Sequence, residues 1–193
     1  MVRRLVSKSL VKGVLITISG PAGSGKSHCA SELAKLYGVP CHSAGSIFRK
    51  MAMEKGVSPE EFSKMADNDP KIDKEIDRRT SELAKRGGLI LEGRLVSFFS
   101  STSAHKISLY LTAPFHERVK RIAEREGISL EESEAKTRTR EESERQRYLA
   151  LYGLDVDDLS HYDFVINTAL WDKESIVVLL KTIVDTYLKT HTL

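Results

Sequence analysis

Cysteine is scarce in this chain, with only Cys29 and Cys41 present. Two thiols give no disulfide framework, which excludes a small cross-linked secreted scaffold and predicts a reducing, cytoplasmic setting. Cys29 falls inside a helical pattern and reads as a small packing residue. Long apolar runs are missing as well. No stretch approaches the roughly 20 apolar residues of a membrane span, and the short apolar pieces within residues 1–12 do not make a signal peptide. That opening segment carries Arg3, Arg4, Lys8 and Lys12 and reads as a loose basic arm. An excess of one charge is also absent, since 30 basic and 27 acidic residues leave a net +3. Nothing in that balance calls for nucleic acid or a membrane as partner. Internal repeats are not seen. What remains is a soluble protein of 193 residues, 40% apolar, enough for the core of one α/β domain, and it is expected to be a monomer.

One stretch organises the rest. Gly20, Pro21, Ala22, Gly23, Ser24, Gly25, Lys26 and Ser27 spell G-x-x-x-x-G-K-S, a phosphate-cradling loop. Its context fits. Residues 14–18, Val-Leu-Ile-Thr-Ile, have the β-branched pattern of a buried parallel strand. Ala30, Leu33 and Ala34 then recur at helical spacing until Gly38 and Pro40. Glycines allow the backbone close to an anion, and the helix N-terminus adds free N–H groups and a positive dipole end. Gly20 to Ser27 and the following His28 form the expected ATP site. Lys26 is expected on the β- and γ-phosphates and the Ser27 hydroxyl on Mg²⁺.

Along the chain, residues 39–42 read as a second strand, and a small-residue turn at Ser43, Ala44, Gly45 and Ser46 leads into a helix with Ile47, Phe48 and Met51 inward and Arg49 in its first turns. Ser58-Pro59-Glu60-Glu61 and Asp69-Pro70 start two further helices with cap and proline signals. Their thin apolar stripe, over residues 57–86, predicts a small helical insert lying on the core. Leu89-Ile90-Leu91 is a third strand ending in Glu92, Gly93 and Arg94. An acid at the carboxyl end of a strand beside a phosphate loop suits Mg²⁺ or its waters, and Arg94 there suits a phosphate. Residues 100–105 form a polar loop, residues 107–111 a fourth strand, and Pro114 opens a helix bearing Arg118, Arg121 and Arg125. Residues 131–147 contain one apolar residue, Ala135, yet begin with a helix start at Ser129. A helix of that composition has no apolar face for a core. Arg140, Glu144 and Arg147 fall on one stripe of it, which fits either a solvated, ion-paired helix or a lid that closes charge over a substrate. Residues 148–153 lead back to the core. Residues 163–167 make the fifth strand, and Asp172 caps a last helix with Ile176, Leu179, Leu180 and Ile183 inward. The loop of residues 168–171, with Trp171, sits at the same sheet edge as the phosphate loop.

The ordered set of the phosphate loop, Ser43-Ala44-Gly45-Ser46-Ile47-Phe48-Arg49, Leu91-Glu92-Gly93-Arg94, Arg121-Ile122-Ala123-Glu124-Arg125, Arg140-Glu141-Glu142-Ser143-Glu144, Arg147-Tyr148 and Val165-Ile166-Asn167-Thr168 resembles the nucleoside monophosphate kinases, most closely the archaeal type of cytidylate kinase. The resemblance implies a P-loop NTPase fold, a five-stranded parallel sheet with helices on both faces. Its core would span about residues 13–45, 88–126 and 150–193, with an acceptor-binding insert over about 46–87 and a short helical lid over about 127–149. It implies phosphoryl transfer from ATP, with Mg²⁺, to CMP or dCMP. Arg49 and Arg94 match arginines on the acceptor phosphate, and Arg147 a third from the lid. Arg121 matches a residue against the donor adenine, Arg125 a phosphate contact, and Arg140 and Glu144 lid residues on the acceptor nucleoside. Ser43 and Gly45 fall on the acceptor side, and Lys26, Arg94, Arg125 and Arg147 are the implied charge-stabilising residues. Glu92 is implied to hold the metal through water. Two departures stand out: Ser46 replaces a usual aspartate, and Leu95 replaces an acid that in bacterial relatives helps read the base. An adenylate kinase, a kinase of a small alcohol such as shikimate, and a nucleotide switch remain alternatives, though no Asn-Lys-x-Asp guanine motif is present.

Overall fold

A computed structural model describes residues 13–100 and 105–191. The basic segment 1–12 and positions 101–104 of the expected polar loop lie outside the described residues. Five strands, β1 (Leu15–Ser19), β2 (Cys41–Ser43), β3 (Leu89–Gly93), β4 (Lys106–Thr112) and β5 (Phe164–Asn167), form one all-parallel sheet in the order β2-β3-β1-β4-β5. Parallel strands need crossovers: α1 (Lys26–Tyr37) links β1 to β2, α2 (Ala44–Glu54), α3 (Pro59–Asn68) and α4 (Pro70–Ala84) link β2 to β3, and α5 (Phe115–Glu126) and α6 (Leu130–Tyr152) link β4 to β5, while α7 (Lys173–His191) follows the last strand. Every residue of β1 is buried, as expected of a central strand covered on both faces. Leu15, Ile16 and Ile18 are fully enclosed, and each contributes about 1.5–3 kcal/mol by leaving water. On one side Ile16, Ile18 and Ile107 pack with Leu33 of α1 and Leu180, Val184 and Leu188 of α7. A smaller cluster on the other side joins Leu15, Leu89, Leu91 and Val96 to Ala84 of α4.

The strand ends differ slightly from the sequence pattern, for local reasons. Strand β2 starts at Cys41 because Pro40 has no N–H to give, although its carbonyl still accepts from Ile90 N at 2.9 Å. Strand β5 starts at Phe164, just after Asp163, whose N donates to Ser108 O at 3.0 Å and whose carboxylate accepts from Ser108 N and Oγ at 2.7 Å each. Helix α2 starts directly at Ala44, with Ser43 as its cap accepting from Ser46 N at 3.1 Å.

The insert has a core of its own. Helix α3 starts with a full capping box at Ser58 and Glu61, and Phe62, Ala66, Ile72 and Ile76 close on Ala52 of α2. The rings of Phe48 and Phe62 meet edge to face at 5.0 Å.

Helix α6 corrects one expectation. Its composition predicts a helix with nothing to bury and a separate return segment from Tyr148. It runs unbroken to Tyr152, ended by Gly153 in the left-handed region, and Ser133, Thr137, Glu144 and Arg147 are buried. Hydrogen bonds seat it, together with the ring of Tyr152, which meets Phe99 edge to face at 5.0 Å. Ser133 Oγ donates to Val119 O of α5 at 2.8 Å, Ser143 Oγ to Asp67 of α3 at 2.7 Å, and Tyr152 to Asp77 of α4. Among the described residues no helix is long and apolar enough to cross a membrane, and both cysteines are free thiols.

Candidate active site

In a sheet of this kind the functional cleft opens beyond the carboxyl ends of the strands, where the strand order reverses. Strand β1 feeds the phosphate loop at that edge. Gly20 takes φ 146°, and a β-carbon there would stand 2.1 Å from Leu111 O of the neighbouring strand. Gly25 caps α1 with no side chain satisfying the first-turn N–H groups, which leaves those donors for an anion. Lys26 is half-buried, its Nζ donating to Pro21 O at 3.1 Å. Burial drives its amine down to about 8, against the pull of Glu92; Arg140 lowers it further, while Glu144 acts with Glu92.

Strand β3 delivers Glu92 and Arg94 to the same edge. Ser27 Oγ donates to Glu92 Oε1 at 3.2 Å, so the two expected metal-side oxygens stand together at the mouth of the loop. This pair fits Mg²⁺, which binds through one or two protein oxygens and completes its shell with phosphate and water. The described residues hold no cluster of three or more His, Cys, Asp or Glu that would make a dedicated metal cage.

Arg94 faces Glu144 of α6, with Nε 3.7 Å from Oε2 and side chains 13% and 10% exposed. Its Nε and Nη1 are buried and have no hydrogen-bond partner among the described residues. Arg140 Nε donates to the other oxygen of Glu144 at 2.8 Å. Burial works to raise the Glu144 carboxyl, but Arg140 and Arg94 outweigh it and hold the group below the usual carboxylate range.

The remaining predicted residues are placed as follows. Arg49 is exposed, its guanidinium close over Gly45. Arg121 Nη1 donates to Gly23 O at 3.3 Å and to Thr168 Oγ1 at 2.9 Å, fastening the loop to the end of β5. Arg125 is not brought to the loop by any contact; it is exposed and pairs with Glu126 at 2.6 Å. His28 is exposed on the first turn of α1. Trp171 borders a groove on the outer side of α7 with Glu174, Ser175 and Val178. Arg147 is held by the insert, with Nε donating to Asp73 at 2.8 Å and Nη1 to Asp67 at 2.6 Å.

The sequence reading left out Asp67 and Asp73 and gave no role to Arg118, Glu141 or Thr168. Thr168 Oγ1 lies 3.0 Å from Ser24 O and 3.1 Å from Thr112 O, bracing the loop from behind. Only its quoted neighbourhood, Val-Ile-Asn-Thr, hinted at it. Asp73 carried no signal beyond a helix first turn.

A model of the cytidylate kinase-like family matches residues 15–170. A cytidylate kinase of Pyrococcus horikoshii is 46% identical over 172 residues, which cover 89% of this chain and 88% of that protein. One of Thermococcus kodakarensis is 47% identical over 175 residues, 90% of each chain. One of Methanopyrus kandleri is 43% identical over 184 residues, covering 91% and 95%. Among solved structures, a shikimate kinase from Acinetobacter baumannii in complex with shikimate aligns with a TM-score of 0.60 at 16% identity, over 96% of this chain and 99% of that one. That likeness concerns the fold alone. With the phosphate loop, the sheet order and a family model spanning the core from β1 to the end of β5, the chain belongs to the cytidylate kinase-like family.

Proposed function

We propose that this protein is a cytidylate kinase, transferring the γ-phosphoryl group of ATP to CMP, and to dCMP, to give the diphosphates and ADP. One observation carries the acceptor side of the reading. Arg94 stands at the carboxyl end of β3 with two buried donor nitrogens, Nε and Nη1, unpartnered among the described residues, and a 3.7 Å ion pair to Glu144. A buried guanidinium with free donors favours a second anion, and a planar fork suits two oxygens of a monophosphate.

The chemistry follows from the groups present. A nucleoside monophosphate is largely dianionic at pH 7, its second pKa being about 6, so it attacks without a general base. The protein positions donor and acceptor and stabilises the negative charge that spreads over the moving phosphoryl group. Lys26 and the first-turn amides of α1 serve the donor, and Arg94, with Arg49, serves the acceptor phosphate. Ser27 and Glu92 would hold Mg²⁺, which would supply charge neutralisation on the donor phosphates. Glu144 faces the acceptor as a carboxylate that accepts a bond from the cytosine amine or a ribose hydroxyl; uracil presents a carbonyl in place of that amine and is disfavoured. The reading makes the protein a cytoplasmic monomer acting on small molecules, with no nucleic-acid or membrane partner.

A coupled assay of ATP with CMP, dCMP, UMP, AMP and shikimate tests it, together with Arg94→Lys. CMP is expected to turn over best. Arg94→Lys should raise KM for CMP by about tenfold or more, because a point charge replaces a bidentate fork, with ATP affinity nearly unchanged. Turnover of shikimate or AMP in preference to CMP overturns the assignment. An equal loss of ATP binding moves Arg94 to the donor side.

A further inference from the structure

Arg118 lies behind the phosphate loop. Its side chain is buried on α5. Nε donates to Ala113 O at 3.1 Å and Nη1 to Ala22 O at 3.1 Å. The same guanidinium grips both oxygens of Glu141 on α6, with Nη2 3.3 Å from Oε2. The backbones are equally close, since a β-carbon on Gly23 would stand 2.6 Å from Arg118 O. Arg121 repeats the pattern one peptide further on, through its bond to Gly23 O.

A peptide unit is planar and trans, so its carbonyl and its N–H point opposite ways. Holding Ala22 O toward α5 turns the N–H of Gly23 away from α5, toward the phosphate side of the loop, while the next N–H, of Ser24, donates within the loop to Pro21 O at 3.3 Å. A charged donor on the carbonyl also polarises the unit and strengthens its N–H as a donor. Glu141 matters because it sits on the helix that carries Arg140, Glu144 and Arg147, and it neutralises a guanidinium that is otherwise costly to bury.

We infer that Arg118, clasped by Glu141, is a positioning residue that presets the loop amides for the donor triphosphate and couples donor binding to the seating of α6 around the acceptor. The inference rests on the kinase reading above and adds to it a link between the two substrate sites. Loop and helix have this guanidinium in common, so ordering the loop around a triphosphate fixes the position of α6, and seating α6 on the acceptor stabilises the loop.

Calorimetry on the full chain with a non-hydrolysable ATP analogue and CMP, each alone and each in the presence of the other, tests it. In the wild type each ligand should tighten the other by about 5-fold or more, within the usual range of coupling between sites. Glu141→Gln keeps the shape of the side chain, so each ligand alone should bind within about threefold of wild type while the mutual tightening falls below about twofold. Arg118→Lys puts all its donors on one nitrogen and cannot span Ala113 O, Ala22 O and Glu141 together, so it should weaken the analogue alone by about tenfold and leave CMP alone within about twofold. The double variant should bind the analogue no worse than Arg118→Lys, the non-additivity of groups that act together. Circular dichroism screens each variant for folding, and if Arg118→Lys fails to fold, Glu141→Gln decides alone. A wild type without tightening, or a Glu141→Gln that retains it, overturns the coupling. Unchanged analogue binding by Arg118→Lys overturns the positioning role. Failure of the kinase reading would appear separately, as a wild type that does not turn over CMP.

Discussion

Lys26 shows how much one residue's environment adds to its identity. Its place in the G-K-S run was legible because that motif is contiguous and flanked by a strand and a helix. Its protonation was not, because burial beside Arg94 and Arg140 comes from segments far away in the chain, and together with the opposing Glu92 it leaves the amine at about 8. A lysine lowered on folding binds fewer protons in the folded than in the unfolded state between about pH 8 and its ordinary value. Its contribution to stability therefore improves as pH rises through that window. On the proposed role of Lys26, catalysis should move the other way, since the neutral amine has no charge to offer the phosphates. We expect kcat/KM for ATP, which reports the free enzyme, to fall by about tenfold per pH unit above about pH 8. The plateau of kcat should extend to higher pH, because bound phosphates restore the charge. Lys26→Ala should abolish this limb and cost about 2.7–4 kcal/mol in kcat, the scale of a lost charge-stabilising donor. Parallel pH profiles for kcat and kcat/KM would show that phosphate binding does not restore it.

At the scale of elements, α6 was legible as a helix and illegible as a packed one. Its start at Ser129 and its end at Gly153 follow cap chemistry. What seats it, the stripe of Ser133, Thr137, Glu144 and Arg147, is polar, and polarity alone reads as solvent exposure. Partners on other helices make the difference, and Arg147 with Asp73 is enclosed on both sides, at 8% and 6% exposure. Breaking such a buried pair costs about 3–5 kcal/mol. One turn along α4 from Asp73, Asp77 meets Tyr152, and burial drives its carboxyl up to about 7 in spite of that hydrogen bond. An acid raised on folding holds its proton in the folded state across the range from its ordinary value of 3.8 to about 7. Its stabilising contribution is complete below that range and is lost as pH rises through it. Asp77→Asn should therefore flatten the decline of the melting temperature between pH 5 and pH 8, by about 2–4 °C for each kcal/mol of penalty removed. A variant whose melting temperature falls with pH as steeply as the wild type's would show that Asp77 titrates normally.

The whole molecule gathers its chemistry at one edge. Parallel strands all point their carboxyl ends the same way, so Gly20 after β1, Ser43 at the end of β2, Glu92 in β3 and Thr168 after β5 converge although they are far apart in the chain. The insert and α6 then meet across that edge through Arg147, Asp67 and Asp73. Nucleotides that bind only this assembled edge must stabilise the fold. At about 100 times its Kd, CMP should contribute about 2.7 kcal/mol, which for a domain of this size raises the melting temperature by about 5–10 °C. UMP at the same concentration should give a smaller shift, read by calorimetric or fluorescence melting. Equal shifts for CMP and UMP would mean that Glu144 and its neighbours do not read the base.

The sequence by itself determined the phosphate loop, the strands, the caps of α3 and α7, and the presence of Glu92 and Arg94 at a strand end. These are local features, since hydrophobic period, turn glycines and cap residues act within a few positions of themselves. The tertiary structure decided which charges are partnered. Arg118 finds Glu141 and Ala22, Arg147 finds Asp73, and Arg94 has two buried nitrogens with no hydrogen-bond partner among the described residues. Nothing in a residue's neighbours along the chain distinguishes a paired arginine from an unpaired one. That distinction depends on which side chains the sheet order brings within 3–4 Å, a range set by hydrogen-bond and ion-pair geometry, roughly as for any protein.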